Sequence, residues 1–156
     1  MKASGRFTNL ESRIQHPESS IEHLALGGMV MKLKEYFESV KGRGVLATAD
    51  GDGKVDAAIY ATPHFIDDET IAFIMRDRLT HNNLQSNPHA AYLFMETGQK
   101  FVGKRLFLTK TREEQDSELL YSIRRKQYSD DKNEAKFLVF FQIDKVLPLM
   151  GSGDGA

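Results

Sequence analysis

The sequence predicts a mainly β protein in which six strands form an antiparallel barrel flanked by two helices. Three observations support this prediction. Apolar and polar residues alternate over several short segments, short turn-like links join most of these segments, and only two segments show the spacing of an amphipathic helix. No G-x-G-x-x-G sequence follows a strand, so a dinucleotide-binding βαβ fold is not indicated.

Composition narrows the possible functions. A length of 156 residues with 40% apolar residues is typical of one domain with a real core. The net charge is −1 and the basic residues are scattered, which gives no basis for binding nucleic acid. There is no membrane-length apolar run and no signal peptide, so we expect a cytoplasmic protein. Without cysteine, any redox chemistry must come from a cofactor.

The chain divides into an arm, a domain and a tail. Residues 1–28 are polar with few periodic apolar positions, and we interpret them as an N-terminal arm that is loose or packed on a neighbour. Residues 29–150 are expected to form the folded domain. The last residues, 151–156, read "GSGDGA" and are expected to be a disordered tail.

The first predicted element is a helix over residues 31–41. Its apolar side chains recur at helical spacing and share one face, namely Leu33, Tyr36, Phe37 and Val40. Two alternating strands follow and are joined at "DGDG", which is the pattern of a β-hairpin. Asp50, Asp52 and Asp56 are alternatively calcium ligands, but the glutamate and the spacing of an EF-hand are missing, which favours the turn.

In the second strand of this hairpin, alternate residues are expected to face opposite sides. One side carries Val55, Ala57, Ile59 and Ala61, and the other carries Asp56, Ala58, Tyr60 and Thr62. The remaining predicted strands are "TIAFIM", "AAYLFME", "KFVGKRLFLTK" and "AKFLVFFQIDKVLPLM". A charged helix is predicted over residues 112–127, before the last strand, with Leu119, Leu120 and Ile123 on its buried side.

A polar segment, "RDRLTHNNLQSNPHA", separates two of the most apolar strands. We interpret it as a short helix that Thr80 caps, with Leu84 pointing inward and Asn87 at its end. The start of a helix offers N–H groups and a partial positive charge, and Arg76 and Arg78 lie beside this one. These features together predict a phosphate site.

The other candidate sites are weaker. The five histidines form no H-x-x-x-H or H-E-x-x-H pair, and no cysteine is available to complete a metal site, so no metal centre is predicted. No G-x-S-x-G sequence indicates a serine nucleophile. His64 follows "ATP" at the end of a strand, where a barrel keeps its ligand-facing loops.

Three segments together resemble the pyridoxamine 5′-phosphate oxidase-like family of FMN-binding split barrels. They are "GVLATADGDGKVDAAIYATPHF", "TIAFIMRDRLTHNNLQSNPHAAYLFME" and "KRLFLTKTREE", and the resemblance covers residues 31–148. It implies a six-stranded antiparallel split β-barrel that forms a homodimer, with FMN bound in two symmetric sites shared between the subunits.

The resemblance also implies a set of cofactor contacts. The FMN phosphate would be surrounded by residues of the polar segment, namely Arg76, Arg78, Leu79, Thr80 and His81, with Asn82 or Asn83 nearby. The flavin ring would lie along one strand segment, formed by Ala58, Ile59, Tyr60, Ala61 and Thr62. Phe73 and Met75 would pack near the ring or the ribityl chain, and Lys104 and Arg105 would contact the phosphate or the ring from either subunit.

The activity implied is that of an FMN-dependent oxidoreductase acting on a small molecule or a redox partner. Alternatives are a flavin-binding protein or electron carrier without turnover, and a reductase that uses the deazaflavin F420. The end of the chain lacks the arginine and histidine that the oxidase itself uses for pyridoxal phosphate, and the last histidine is His89, which disfavours haem degradation. Tyr60 and His64 are candidates for groups near the open face of the ring, and no catalytic residue is assigned.

Overall fold

The computed structural model describes residues 32–124 and 134–152. The predicted arm at 1–28 lies outside the described residues, and so do residues 153–156 of the predicted tail. Within the described ranges, no helix has the length and apolar character needed to cross a membrane.

The described residues form three helices and seven strands. In chain order these are α1 (Leu33–Ser39), β1 (Gly42–Ala49), β2 (Val55–Tyr60), β3 (His64–Phe65), β4 (Thr70–Arg76), α2 (Leu79–Ser86), β5 (His89–Glu96), β6 (Gly103–Gln115), α3 (Glu118–Ile123) and β7 (Lys136–Pro148). The prediction of a mainly β, antiparallel protein is confirmed. The predicted count of six strands is one too low, because the two-residue strand β3 pairs with β4.

All strand pairs are antiparallel, and the strand order is β2-β1-β5-β6-β7-β4-β3. The terminal strands β2 and β3 do not pair with each other in the described sheet, so the barrel is open along this line. The predicted hairpin is β1–β2. A carboxylate oxygen of Asp50 accepts hydrogen bonds from the backbone N–H groups of Asp52 and Lys54, both at 2.9 Å, and Gly53 has a φ of 82°.

The predicted alternation along β2 is present, and the face with the larger aliphatic side chains is the exposed one. Val55 is 84% exposed and Ile59 is 76% exposed, whereas Asp56, Ala58 and Tyr60 are partly buried. The partly buried residues lie on the inner face of the curved sheet, and this inner face of β2 carries polar and aromatic side chains. The outer face is left apolar and uncovered.

The core consists of two clusters on opposite sides of the sheet. The larger one fills the inside of the curved sheet and includes Tyr92, Phe94 and Phe141, with α1 packed against it through Leu33 and Phe37. The smaller one lies between α3 and the outer face of β4 and β7, and it contains Ala72, Leu120, Leu138 and Phe140. Burial on both faces explains why β7 begins with the nearly continuous apolar run "FLVFF".

The predicted second helix starts later than expected, and residues 125–127 of its predicted range lie outside the described residues. Residues 112–115 belong to β6, which pairs with β7 as far as Gln115. The helix itself is α3, and it starts after Ser117, whose hydroxyl accepts a hydrogen bond from the N–H of Leu120 at 3.1 Å. Leu120 is buried and Ile123 packs beside it, as predicted, but Leu119 is 36% exposed. Long-range strand pairing overrode the local helical pattern.

The predicted short helix after β4 is α2. Leu84 is buried inside it, and Asn87 ends it. Thr80 is not its cap, however, because Arg78 occupies the N-cap position and Thr80 lies in the first turn. The Thr80 hydroxyl instead donates a hydrogen bond to the carboxylate of Asp56 in β2, at 3.3 Å. The first predicted helix is also shorter than expected, since α1 spans Leu33–Ser39.

Candidate functional site: a cleft between the ends of the open sheet

A cleft of ≈ 590 Å³ lies where the two ends of the sheet approach each other. This volume is typical of small-molecule sites, which range over roughly 300–1,000 Å³. One wall is formed by β2 and the residues that follow it, and the other by β4, the start of α2 and residues near α3 and β7. The lining residues are Ala58, Ile59, Tyr60, Ala61, Thr62, His64, Phe73, Ile74, Arg76, Arg78, Thr80, Arg124 and Lys136.

Aromatic rings join the two walls of the cleft. The rings of Tyr60 on β2 and Phe73 on β4 meet edge to face, with centroids 5.8 Å apart, and Phe73 lies 5.0 Å from the ring of Tyr92 on β5. The Tyr92 hydroxyl donates a hydrogen bond to the backbone carbonyl of Ala61 at 3.1 Å. The segment that follows β2 is thus held by a side chain that reaches it through the core.

Gly44 on β1 makes this contact possible. A Cβ atom at position 44 would lie 1.9 Å from the Tyr92 hydroxyl oxygen and 2.3 Å from the ring carbon that carries it. No side chain can approach so closely, so only glycine leaves room for Tyr92 to cross β1 and reach Ala61. Gly44, the second glycine in "GRGVLATA", is therefore required by the shape of the cleft wall.

The opposite end of the cleft is basic. Arg76 is the last residue of β4, and Arg78 is the N-cap of α2, so the end of one element and the start of the next present two guanidinium groups together. Both form ion pairs with one carboxylate, that of Glu134, at 3.1 Å from Arg76 and 3.2 Å from Arg78. Lys136 of β7 pairs in register with Arg76 and is only 7% exposed.

Among the described residues that line the cleft, the charged ones are all cations, namely Arg76, Arg78, Arg124 and Lys136. The α2 helix also begins at this end, and the N–H groups of its first turn have no partner within the helix. Helix start and cations act in the same direction, because both favour negative charge. This end of the cleft is electrostatically suited to an anion.

The Tyr60 side chain connects the aromatic end of the cleft to its basic end, because its ring contacts Phe73 and its hydroxyl is hydrogen-bonded with Thr80. Burial raises the pKa of its hydroxyl, a hydrogen bond with Thr80 opposes this shift, and the charge of Asp56 adds to it. The Tyr60 hydroxyl is therefore protonated at neutral pH, and it can act as a hydrogen-bond donor to a bound molecule. Thr80 lies between the phenol and the carboxylate and connects α2 to β2.

The structure brings together a large part of the predicted site. Residues from both predicted regions line the same cleft, although 58–62 and 73–80 belong to strands at opposite ends of the sheet. His64, which was singled out at the end of a strand, also lines it. These residues come together because of the strand order of the sheet, which the sequence of either segment alone does not predict.

Four predicted residues from β4 and α2 do not line the cleft. Met75 is 1% exposed in the main core, and Leu79 is 56% exposed outside the cleft. His81 is buried between Asp77, 3.2 Å from Nδ1, and Glu113, 2.7 Å from Nε2. The Asn83 side chain donates a hydrogen bond to the Thr48 hydroxyl at 3.1 Å. Met75 faces the core from strand β4. The helix α2 turns the other three side chains towards the core or the solvent, because neighbouring positions in a helix point in different directions.

Lys104 and Arg105 on β6 also lie apart from the cleft lining within one chain. The Lys104 ammonium is 4.6 Å from the centroid of the Tyr36 ring, and burial lowers the pKa of Lys104 while the charge of Glu96 opposes this effect. Arg105 donates a hydrogen bond from Nε to the carbonyl of Pro148 at 2.9 Å. Both side chains therefore have partners within the chain.

Ile74, Arg124 and Lys136 line the cleft and were not predicted. Lys136 opens the apolar strand "KFLVFF", and this position by itself is typical of a strand end at the surface. Its proximity to Arg76 depends on the β4–β7 register, which the sequence does not reveal. Arg124 follows α3, whose start was wrongly predicted. Within the described ranges, no three histidine or acidic side chains converge as metal ligands.

An open antiparallel sheet whose two ends enclose a cleft with aromatic and basic residues defines a split barrel. The profile of the family described as pyridoxamine 5′-phosphate oxidase matches residues 32–145. The chain belongs to this family. A comparison with curated proteins gives no match.

Solved structures share the fold. An FMN-binding protein from Syntrophomonas wolfei subsp. wolfei has a TM-score of 0.64 and 22% identity, with 97% of this chain and 98% of that chain covered. HupZ of Group A Streptococcus has a TM-score of 0.62 and 15% identity, covering 81% of this chain and 100% of that one. A protein described as F420 reductase has a TM-score of 0.54 and 16% identity, with 72% and 94% covered. The TM-scores establish the likeness of fold.

Proposed function

We propose that this protein binds FMN in the cleft between the ends of the sheet and acts as a flavin-dependent oxidoreductase. The observation that carries the proposal is the pairing, in one cleft, of an aromatic wall with two arginines at the start of a helix. FMN has the same two-part character, with a flat ring at one end and a phosphate at the other.

The basic end would hold the phosphate. Guanidinium groups form strong, charge-assisted hydrogen bonds with phosphate oxygens, and the N-terminus of a helix favours the same charge. Arg76 and Arg78 supply the first, α2 supplies the second, and the hydroxyl of Thr80 lies in the first turn of that helix. This donor set matches a dianionic group.

The aromatic end would hold the ring. Tyr60 and Phe73 offer apolar cover, which a flat ring needs, together with a few polar contacts at its edge. β2 is a terminal strand, so one of its edges pairs with no other strand of the described sheet. The backbone groups along that edge and in the segment after it, up to Thr62, are suited to the polar edge of a flavin.

When bound, FMN supplies hydride or electron transfer, and the protein positions it. The family membership and the fold shared with an FMN-binding protein support this cofactor, whereas the fold shared with an F420 reductase supports the deazaflavin as the alternative. An electron carrier without turnover is the other candidate. Tyr60 and His64 are proposed to lie near the reacting face, in a protein that acts in the cytoplasm.

We further propose a homodimer with shared flavin sites. The outer face of β2, β1 and β5 is apolar: Ile59 is paired with Val45 and Val45 with Leu93, which is 40% exposed. Exposed apolar surface of this extent is typical of an interaction site. Ile59 belongs both to this face and to the cleft lining. A second copy docked on the face would therefore border the cleft.

The first test is a titration of the purified protein with FMN, followed by quenching of flavin fluorescence. Replacing Arg76 and Thr80 together by alanine is expected to weaken FMN binding by about 2–4 kcal/mol, the scale of losing charge-assisted hydrogen bonds. Lys100→Ala, which removes an exposed cation from the loop between β5 and β6, is the matched control and should leave affinity unchanged.

Two results would count against the proposal in different ways. If the wild-type protein binds neither added FMN nor any flavin, the cofactor assignment is wrong. If the wild-type protein binds FMN and the double variant binds it equally well, the phosphate lies elsewhere. A parallel titration with F420 separates the two cofactors, because only the true one should bind tightly.

A further inference from the structure

Glu134 lies where an anionic ligand of the cleft would be expected. One of its carboxylate oxygens is 3.1 Å from Nη1 of Arg76, and the other is 3.2 Å from Nη2 of Arg78. A single carboxylate thus bridges the two guanidinium groups, using one oxygen for each. This is the arrangement by which two arginines hold the oxygens of a phosphate.

The carboxylate of the bridge is backed by neighbouring residues, whereas the side chains of Arg76 and Arg78 are 40% and 66% exposed. The Glu134 side chain is 24% exposed, and its backbone carbonyl accepts a hydrogen bond from the Lys136 ammonium at 3.5 Å. Lys136 is in turn fixed at the start of β7, where its N–H donates a hydrogen bond to the Asp116 carboxylate at 3.1 Å. The carboxylate is therefore held close to the arginines by the strand that follows it.

We infer that Glu134 is an internal competitor for the anion site and thereby lowers the affinity of the cleft for a phosphate. The inference rests on the proposed function. A phosphate carries close to two negative charges and three acceptor oxygens, so it can displace a single carboxylate from both arginines. A ligand with one carboxylate gains nothing from the exchange, and a neutral ligand leaves the bridge intact. Glu134 therefore weakens the binding of anionic ligands and leaves the binding of neutral ligands unchanged.

The bridge also has a cost for binding, because every phosphate that enters must first separate Glu134 from its partners. Exposed ion pairs contribute up to ~1 kcal/mol each, and two such contacts correspond to roughly 3- to 30-fold in affinity. In the absence of an anion, the same interaction stabilises the protein, because Glu134 reduces the repulsion between the two arginines. Glu134 thus lowers the affinity for a phosphate while it compensates the charge of the arginines.

The decisive experiment compares FMN with riboflavin, which has the same ring and no phosphate. In Glu134→Gln the shape of the side chain is kept and its charge is removed. We expect this variant to bind FMN roughly 3- to 30-fold more tightly than the wild-type protein, with riboflavin affinity changed by less than about twofold. Glu118→Gln removes an exposed carboxylate from α3 and should alter neither affinity.

Several results would overturn the inference. If Glu134→Gln binds FMN more weakly or equally, the carboxylate positions the arginines or takes no part. If riboflavin gains as much as FMN, the effect does not act through the phosphate. Glu134→Ala, checked for folding by circular dichroism, should reproduce the gain in FMN affinity, and a loss in both folded variants refutes competition.

The inference can fail separately from the proposed function. If neither the wild-type protein nor the variant binds a flavin, the cofactor proposal is wrong, and inorganic pyrophosphate becomes the probe. Pyrophosphate should then raise the thermal unfolding midpoint of Glu134→Gln more than that of the wild-type protein. An equal shift, or none in either protein, overturns the competitor role of Glu134.

Discussion

Replacing Gly44 by alanine tests whether the fit between β1 and Tyr92 shapes the cleft wall. The new methyl group would stand 1.9 Å from the Tyr92 hydroxyl oxygen and 2.3–2.5 Å from two ring carbons. Tyr92 is fully buried in the main cluster, so its ring has no free space to move into. Either the ring or the strand must shift.

The size of the effect follows from three contributions. Overpacking of a core costs about 1–3 kcal/mol, and loss of the hydrogen bond from Tyr92 to the Ala61 carbonyl costs about 0.5–1.5 kcal/mol. Alanine is favoured over glycine inside a strand by roughly 0.5–1 kcal/mol, which offsets part of this. We therefore expect Gly44→Ala to lower the free energy of unfolding by about 1–3 kcal/mol.

Urea unfolding followed by circular dichroism measures this difference. Gly51→Ala is the matched control, because a methyl group there would meet its nearest neighbour, Ser86 Cβ, at an ordinary 3.4 Å. Tyr92→Phe separates the hydrogen bond from the overpacking. If Gly44→Ala is as stable as Gly51→Ala, the close approach does not constrain the fold and the reasoning is refuted.

Two further predictions concern the outer face and the start of β7. Val55→Asp with Ala57→Asp places charges on the exposed face of β2 and should convert a dimer to a monomer in light scattering, while Leu119→Asp on α3 should not; an unchanged mass would contradict the proposed interface. Hydrogen bonds to the Asp116 carboxylate, first of all from the N–H of Lys136, lower its pKa below the ordinary 3.8. The resulting stabilisation is fully present above pH 3.8 and is lost as the pH falls through the lowered pKa of Asp116. The urea midpoint of wild type should therefore exceed that of Asp116→Asn at neutral pH and converge with it in acid; a constant difference would exclude the charge as the cause.

Local sequence patterns predicted most of the elements, because they depend on neighbouring residues. The "DGDG" turn is determined by the Asp50 carboxylate and by the positive φ of Gly53, and both are local properties. The helix prediction failed at 112–115 because long-range strand pairing determines the structure of these residues. Residues 112–115 have a helical pattern in isolation, and their partners in β7 begin more than twenty positions later in the chain.

The candidate site was predictable only in part for the same reason. Arg76, Arg78 and Thr80 could be found because they cluster in one segment beside a helix start. Glu134 and Lys136 could not be found, because only the pairing of β4 with β7 brings them to those arginines. His81 was predicted to contact the phosphate because its residue type suits one, and the structure places its side chain between two carboxylates.

The linear strand order has a consequence for how the protein holds together. Backbone hydrogen bonds connect each described strand to its neighbours, yet β2 and β4 face each other across the cleft mainly through side chains such as Tyr60 and Phe73. A molecule that contacts both walls adds non-covalent contacts between the first and last parts of the sheet, which share no backbone hydrogen bonds in the described strands. Since the sheet cannot then open without releasing that molecule, the occupancy of the cleft and the stability of the whole fold are thermodynamically linked.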